Sequence, residues 1–466
     1  MTVNPSIFKA YDIRGIYPTD INEENIVSIT KGIYTFFVRD LKKDSISIVL
    51  GRDMRVSSPS LFEIAKKTLV EMGATVIDVG LVSTPTFYFA VLKYGYDAGI
   101  QISASHNPPQ YNGIKFAKRV NATLVKISKI TGMEDVKKLV VASDFNPKKA
   151  GGKINQIQNI VQDDVKNALV SVPLPRSKRF KIVADPANAM GILYIEELFK
   201  QIPADLVKMN FTLDGTFPSH QPDPLESKNL KDLQKKVVEE KADFGIAPDG
   251  DGDRIFFIDE KGGIIPATWI SALITKEVLA KNKGATIIVD IRYTNNVVHI
   301  AKKLGGKASI SKVGHALITE QLNREGAVFA GESSGHFYFK ETGGAESSLL
   351  VILYVMKAMI EENKPLSMIV KEYVSSIESG EFNFTLPETV EAKNLLNDIS
   401  TNYEKGKVSW LDGLSVDYPN WRFNIRTSNT EPLLRLNVEG DSKELVENKL
   451  KELTQKIMSS GAKAKH

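Results

Sequence analysis

YDAGIQISASHNP at 96–108 is an apolar run that stops in a polar loop, and its reading decides the fold. The pattern returns in KADFGIAPDGDGD at 241–253 and REGAVFAGESSGH at 324–336. Each time a short strand-like stretch ends in glycine, serine, aspartate or histidine, the composition of a ligand-binding loop. Around these three copies, strand-like and helix-like segments alternate. ISIVLG at 46–51 is followed by a helical apolar period over 59–71 and a strand over 74–80. A helix near 157–170, FKIVAD at 180–185, a helix from 189 and ATIIVD at 285–290 continue the rhythm. Alternation at this spacing predicts mostly parallel α/β sheets with covering helices. Ligands bind beyond the carboxyl ends of strands in such sheets, so the three loops are expected to face one central cleft.

From 374 onward the pattern changes. SVDYPNWRFNIR and PLLRLNVEG read as longer, alternating strands, and a charged helix is expected from Ser442. The predicted architecture is three similar α/β domains with mixed, mostly parallel sheets, over 1–153, 154–258 and 259–373, and a smaller α+β domain over 374–466. Sixty basic and fifty-six acidic side chains are spread along the 466 residues, which gives no reason to expect nucleic acid or an anionic membrane as partner. The absence of cysteine excludes disulfides, thiolate nucleophiles and zinc–thiolate sites. No segment reads as a signal peptide or a spanning helix, and the cytoplasm is the expected compartment.

The loops carry the chemistry. SASHNP at 103–108 offers Ser105, a hydroxyl able to carry a phosphoryl group, whereas His106, adjacent in sequence, is expected to point away from it. DGDGDR at 249–254 offers Asp249, Asp251 and Asp253, spaced to converge on one hard cation, with glycines that let the backbone curl. The same D-x-D-x-D could open a calcium-binding EF-hand, but that frame needs glycine where Arg254 stands, and IFFID after it reads as a strand. A serine beside a carboxylate-held Mg²⁺ suits phosphoryl transfer, in which positioning and charge neutralisation do most of the work. GESSGH at 331–336 groups Glu332, Ser334 and His336, which suit sugar hydroxyls, and KVGH at 312–315 adds Lys312 and His315. RTSNTEP at 426–432 groups Arg426, Ser428, Asn429 and Thr430, which read equally as a phosphate cradle or as a polar hairpin turn. Arg14 in FKAYDIRG and Lys115 in NGIKF add positive charge.

Assembled in order, FKAYDIRG, GRD, SASHNPPQYNGIKF, DGTFPSHQPDP, DGDGDR, KVGH, GESSGH and RTSNTEP resemble the α-D-phosphohexomutases, within them the phosphomannomutase/phosphoglucomutase group. The resemblance covers essentially the whole chain and implies a four-domain enzyme. It implies that Ser105 is a phosphoserine whose oxygen joins Asp249, Asp251 and Asp253 in holding Mg²⁺. Arg14 and Lys115 would flank the reacting groups, with Lys115 a base if cations such as Arg14 lower its pKa. Glu332 and Ser334 would grip sugar hydroxyls, with Arg254, Arg292, Lys312, His315 and His336 in the same cleft, and Arg426, Ser428, Asn429 and Thr430 on the unreacting phosphate.

The implied substrates are small hexose phosphates, and the implied intermediate and activator is a hexose 1,6-bisphosphate that turns end for end under a mobile fourth domain. A monomer or homodimer is expected. Ser103 replaces the family's usual threonine, and Ser333 stands where many members carry methionine, which bears on sugar preference. Phosphoglucosamine mutase and a metal-dependent sugar-phosphate phosphatase are the alternatives. The glucosamine enzymes carry an FGTDGIRG-type signature unlike FKAYDIRG.

Overall fold

The computed structural model describes residues 3–175, 178–428 and 433–465. It divides into two compact units, Met1–Pro266 with Ser334–Ile369, and Ala267–Ser333 with Val370–His466. The GESSGH loop is split by that division: Glu332 and Ser333 close a segment of the second unit, and Ser334 and His336 open a segment of the first.

The first unit holds two mixed sheets. In one, Ala98–Ile102, Ser47–Arg52, Thr75–Leu81 and Lys153–Gln156 run parallel, and Tyr111–Val120 and Ile13–Ile16 extend the sheet antiparallel beyond Ala98–Ile102. The domain break expected at 153 falls on the first residue of the Lys153–Gln156 edge strand. In the other, Phe244–Pro248, Phe180–Ala184 and Ala204–Lys208 run parallel, with Ile255–Asp259 and Ile264–Ile265 antiparallel at one edge.

The strands that lead to the serine and aspartate loops are buried at every position. That is what near-continuous apolar runs produce in sheets covered on both faces. Covering is close: a Cβ on Gly99 would lie 2.5 Å from the Phe87 ring of the helix Thr84–Lys93. That helix starts where it does because Ser83 caps the Thr86 amide and Pro85 sits in the first turn. Ile48, Leu50, Ile100, Ile102, Phe37 and Phe116 share one core.

In the second unit, Lys307–Ser311, Thr286–Asp290 and Phe329–Gly331 are parallel strands. The C-terminal sheet is antiparallel throughout, ordered Lys407–Ser409, Leu414–Asp417, Trp421–Thr427, Leu434–Gly440, Phe382–Thr385, Lys463–Lys465, with Ile377–Glu378 also on Leu434–Gly440. Alternation places Phe423, Ile425, Leu434, Leu436 and Val438 in its core against the helix Lys443–Met458, whose N-cap is Ser442 as the sequence predicts. Among the described residues no helix is long and apolar enough to cross a membrane.

Candidate functional site

Strand pairing assembles the first part of the site. Ala98–Ile102 delivers the serine loop, its antiparallel neighbour sets Lys115 opposite Gln101, and the next strand sets Arg14 opposite Gly113. Ser105 itself has φ +50°, a left-handed conformation that costs a non-glycine residue about 1–2 kcal/mol. Its N–H donates to Ser103 Oγ at 3.1 Å, so a serine fills the place of the family's threonine with its hydroxyl engaged.

The loop is held from beneath by a residue the sequence reading missed. Arg55 is wholly buried and donates to four carbonyls: Ser105 (2.8 Å), Asn107 (2.6 Å), Pro108 (2.8 Å) and Tyr111 (3.1 Å). Asp53 balances its charge at 3.3 Å. The only signal in the sequence was a charged GRDMR segment at the end of an apolar strand.

The left-handed turn also explains a difference. His106 was expected to point away, as neighbours do in an extended chain, but its Nδ1 lies 3.3 Å from Ser105 Oγ. Burial, then the Arg254 and Arg14 guanidiniums, push His106 well below the ordinary histidine range, so the ring is neutral.

Asp249, Asp251 and Asp253 converge as the spacing predicts. All three are buried, and one ligand oxygen from each lies within 4.8 Å of the others. The aspartate loop meets the serine loop backbone to backbone: a Cβ on Gly250 would come 2.3 Å from the Ser105 carbonyl oxygen. Ser105 Oγ donates to Asp249 Oδ2 at 3.0 Å. Thr84, unmarked in the sequence, donates from Oγ1 to Asp251 Oδ2 at 2.6 Å and from its N–H to the Asp251 carbonyl at 2.9 Å.

Lys115 Nζ lies 2.6 Å from both Asp251 Oδ2 and Asp253 Oδ2. Burial opposes its charge, but the Asp251 and Asp253 carboxylates outweigh burial and hold Lys115 well above the usual lysine range. The influence expected of Arg14, which pulls the other way, is overridden. Burial and the neighbouring carboxylates of Asp253 and Asp251 drive Asp249 well above the carboxylate range. Burial also opposes ionisation of Asp253, yet Lys115, His336 and Arg254 bring it well below.

The three carboxylates are crowded enough that Asp249 is raised well above its ordinary range by burial and its neighbours, even with the Lys115 ammonium and the Arg254 guanidinium close by. Asp251 Oδ1 is buried without a hydrogen-bond partner among the described residues. An all-oxygen donor set with a spare buried oxygen and an ammonium as stand-in fits a hard divalent cation.

Arg254 Nε lies 3.9 Å from Asp249 Oδ2 and donates to His336 Nε2 at 3.3 Å. His336 in turn sits 3.4 Å from Asp253 Oδ1, with Ser334 Oγ 2.9 Å from its other ring nitrogen. Arg14 donates to Asn107 Oδ1 at 2.5 Å and pairs with Asp12. The first unit thus gathers Ser105, Lys115, Arg14, the three aspartates, Arg254, Ser334 and His336.

The second unit carries the remainder. Asp290, at the carboxyl end of its strand, takes Arg292 Nε at 2.9 Å and the Ser333 N–H at 2.6 Å, while Arg292 Nη2 reaches Glu332 Oε1 at 3.1 Å. Lys312 is exposed, and His315 opens the helix His315–Glu325. Arg426 ends up buried on Trp421–Thr427, and the Ser428 N–H donates to the Leu433 carbonyl at 2.8 Å. Asn429 and Thr430 lie outside the described residues.

Comparison with known proteins decides the family. The models for the four phosphoglucomutase/phosphomannomutase domains match in order: alpha/beta/alpha domain I over residues 5–146, domain II over 159–263, domain III over 267–377 and the C-terminal domain over 391–456. The chain belongs to the phosphoglucomutase/phosphomannomutase family. As a member it is an isomerase that moves a phosphoryl group within its substrate. A phosphomannomutase of Methanocaldococcus jannaschii is 36% identical, covering 96% of each chain. One from Escherichia coli is 37% identical over 93% of this chain and 94% of its own. The crystal structure of a family protein from Burkholderia thailandensis superposes with a TM-score of 0.88 at 30% identity, covering 99% of both chains.

Proposed function

We propose that this family member is a Mg²⁺-dependent phosphohexomutase that interconverts the 1- and 6-phosphates of mannose and glucose through phospho-Ser105. The observation that carries the reading is the Ser105 hydroxyl, 3.0 Å from one of three convergent buried carboxylates. Relatives at 36–37% identity that bear the name phosphomannomutase support mannose as a substrate.

Asp249, Asp251 and Asp253, with an oxygen of phospho-Ser105, would hold the metal, which when bound supplies charge neutralisation at the phosphoryl oxygens. The Oγ–P bond of phospho-Ser105 breaks as the free sugar hydroxyl forms its own O–P bond, giving the hexose 1,6-bisphosphate, and the hydroxyl proton ends on the Ser105 Oγ that the phosphoryl group has left. Transfer of the other phosphate back to Ser105 completes the isomerisation. Arg55 keeps the loop still while this happens. Arg14 and Lys115 offset the charge of the moving group. Lys115 can accept the hydroxyl proton only after losing its own, which its pairs with Asp251 and Asp253 oppose, so its assigned part is electrostatic. A loose transition state asks little of a base until the new bond is nearly made. Arg292, Lys312, His315, Glu332, Ser334 and His336 are assigned to the sugar, and Arg426, Ser428, Asn429 and Thr430 to the phosphate at rest.

Phosphorus NMR tests the reading, with Mg²⁺, trace glucose 1,6-bisphosphate, and mannose 1-phosphate, glucose 1-phosphate and glucosamine 1-phosphate in parallel. The 6-phosphates of mannose and glucose should appear without free phosphate. Turnover of glucosamine 1-phosphate alone would overturn the substrate assignment, and steady phosphate release would mean a phosphatase.

A further inference from the structure

The second unit contains one acidic side chain shared among arginines that the proposed function leaves unexplained. Glu381 Oε1 accepts from Arg435 Nη1 at 2.9 Å, Oε2 accepts from Arg426 Nη2 at 3.2 Å, and Arg292 Nη1 stands 4.0 Å from Oε2. We propose that Glu381 is an internal placeholder that occupies the phosphate-binding donors of Arg426 until a phosphate monoester dianion displaces it, and that Arg435 is a further arginine of that phosphate site. The inference rests on the assignment of Arg426 to the resting phosphate.

Three observations carry it. The first is supply of donors. Each guanidinium offers five N–H groups, far more than the two oxygens of one carboxylate can accept. Arg426 is only 2% exposed, and its Nε is buried without a hydrogen-bond partner among the described residues.

The second is charge. Arg292 already has Asp290 and Glu332, and Glu381 is the carboxylate that bridges Arg426 and Arg435. Arg426 stays under-compensated: burial first, then Arg292, and further Arg435, depress its pKa despite Glu381 and Asp412. A dianion with three terminal oxygens matches two guanidiniums in charge and in acceptor number, which a single carboxylate does not.

The third is access. The Glu381 side chain is 24% exposed against 2% for Arg426, and Arg435 is 19% exposed, so the cluster opens to solvent on the side of Glu381 and Arg435. Displacement would move Glu381 toward solvent, where a freed carboxylate is hydrated. Such an exchange favours dianions, since a monoanion or a neutral sugar gains no more from the arginines than Glu381 already does.

The test is inorganic phosphate titrated into the full-length chain without Mg²⁺, followed by calorimetry, for the native protein and for Glu381→Gln, Glu381→Asp, Arg435→Ala and Arg426→Ala. Glu381→Gln keeps the shape and removes the charge, and should tighten phosphate about 2–5-fold, the scale of one partly exposed ion pair. The KM for mannose 1-phosphate should fall in step. Arg435→Ala should weaken phosphate about 10-fold or more, as loss of a charge-assisted contact does. Arg426→Ala should abolish the binding, which locates the ion in this cluster.

Unchanged or weaker phosphate binding by Glu381→Gln would overturn the placeholder role and make Glu381 an aligning residue. Should Glu381→Gln fail to fold, Glu381→Asp, with its shortened reach, must bind phosphate more tightly than native protein or the inference fails. Binding is read without turnover. A chain that shows the Glu381→Gln gain but no mutase activity would refute the proposed function and leave this inference standing.

Discussion

The serine–aspartate region and the arginine region are electrostatic opposites that solve one problem in the same way. In the first, three carboxylates crowd together and the Lys115 ammonium supplies the opposite charge. In the second, arginines crowd together and the Glu381 carboxylate supplies it. Like charges packed in a protein interior are costly unless a counter-charge is present, and a site built for an ion must meet that cost while the ion is away.

The difference lies in depth. Lys115 and its partners are almost wholly buried, whereas Glu381 is partly open to solvent. The buried cluster therefore calls for one persistent cation. The open one is suited to an anion that comes and goes with every turnover.

Perturbing each side in turn sharpens that contrast. Ser105→Ala should have the largest effect, a loss of roughly 10⁴-fold or more in kcat, because it removes the hydroxyl proposed to carry the phosphoryl group. Its thermal midpoint should stay near that of native protein. Residual mutase turnover within 100-fold of native would end the carrier role.

Chelation by EDTA should come next, costing about 10²-fold or more in kcat with recovery on added Mg²⁺. The phosphate affinity of the arginine cluster should be untouched by EDTA. If both respond together, the two regions are not the separate devices described here.

Arg55→Lys keeps the buried charge but not the geometry that spans four carbonyls, and should lower kcat about 10–100-fold while leaving KM within a factor of about two. A parallel rise in KM would assign Arg55 to general folding rather than to the serine loop. Smallest is Ser103→Thr, expected within about two-fold of native activity, since either hydroxyl can accept the Ser105 N–H. Ser103→Ala leaves that buried donor without its acceptor, and should cost about 1–3 kcal/mol in thermal unfolding.

What was legible in the sequence follows the same divide. Strands buried on both faces write themselves as unbroken apolar runs, so AGIQI and FGIAP were plain, and so were the polar loops that end them. The aspartate cluster could be read because its three side chains lie on one glycine-bearing turn.

Arg55 was invisible because its partners are carbonyls of residues 105–111, supplied by a different strand's loop. Glu381 belongs to no motif: it precedes the edge-side strand Phe382–Thr385 and meets Arg426 and Arg435 only once the antiparallel sheet is formed. Lys115 is legible in NGIKF, but the condition for a base, a pKa lowered by cations such as Arg14, is opposed by its surroundings. Spacing along the chain does not show that two carboxylates lie 2.6 Å from its ammonium and together outweigh both burial and Arg14. His106 was misdirected for a local reason, the left-handed φ of Ser105, which no residue type in SASHNP announces.

Phosphate on Ser105 tests the central claim most directly. The full-length protein, incubated with Mg²⁺ and glucose 1,6-bisphosphate labelled with radioactive phosphorus, is digested and the labelled peptide sequenced, before and after a chase with unlabelled mannose 6-phosphate. The account predicts label on Ser105 alone, chased quantitatively into the mannose phosphates. Label on another residue, or label on Ser105 that leaves only as free phosphate, would contradict it.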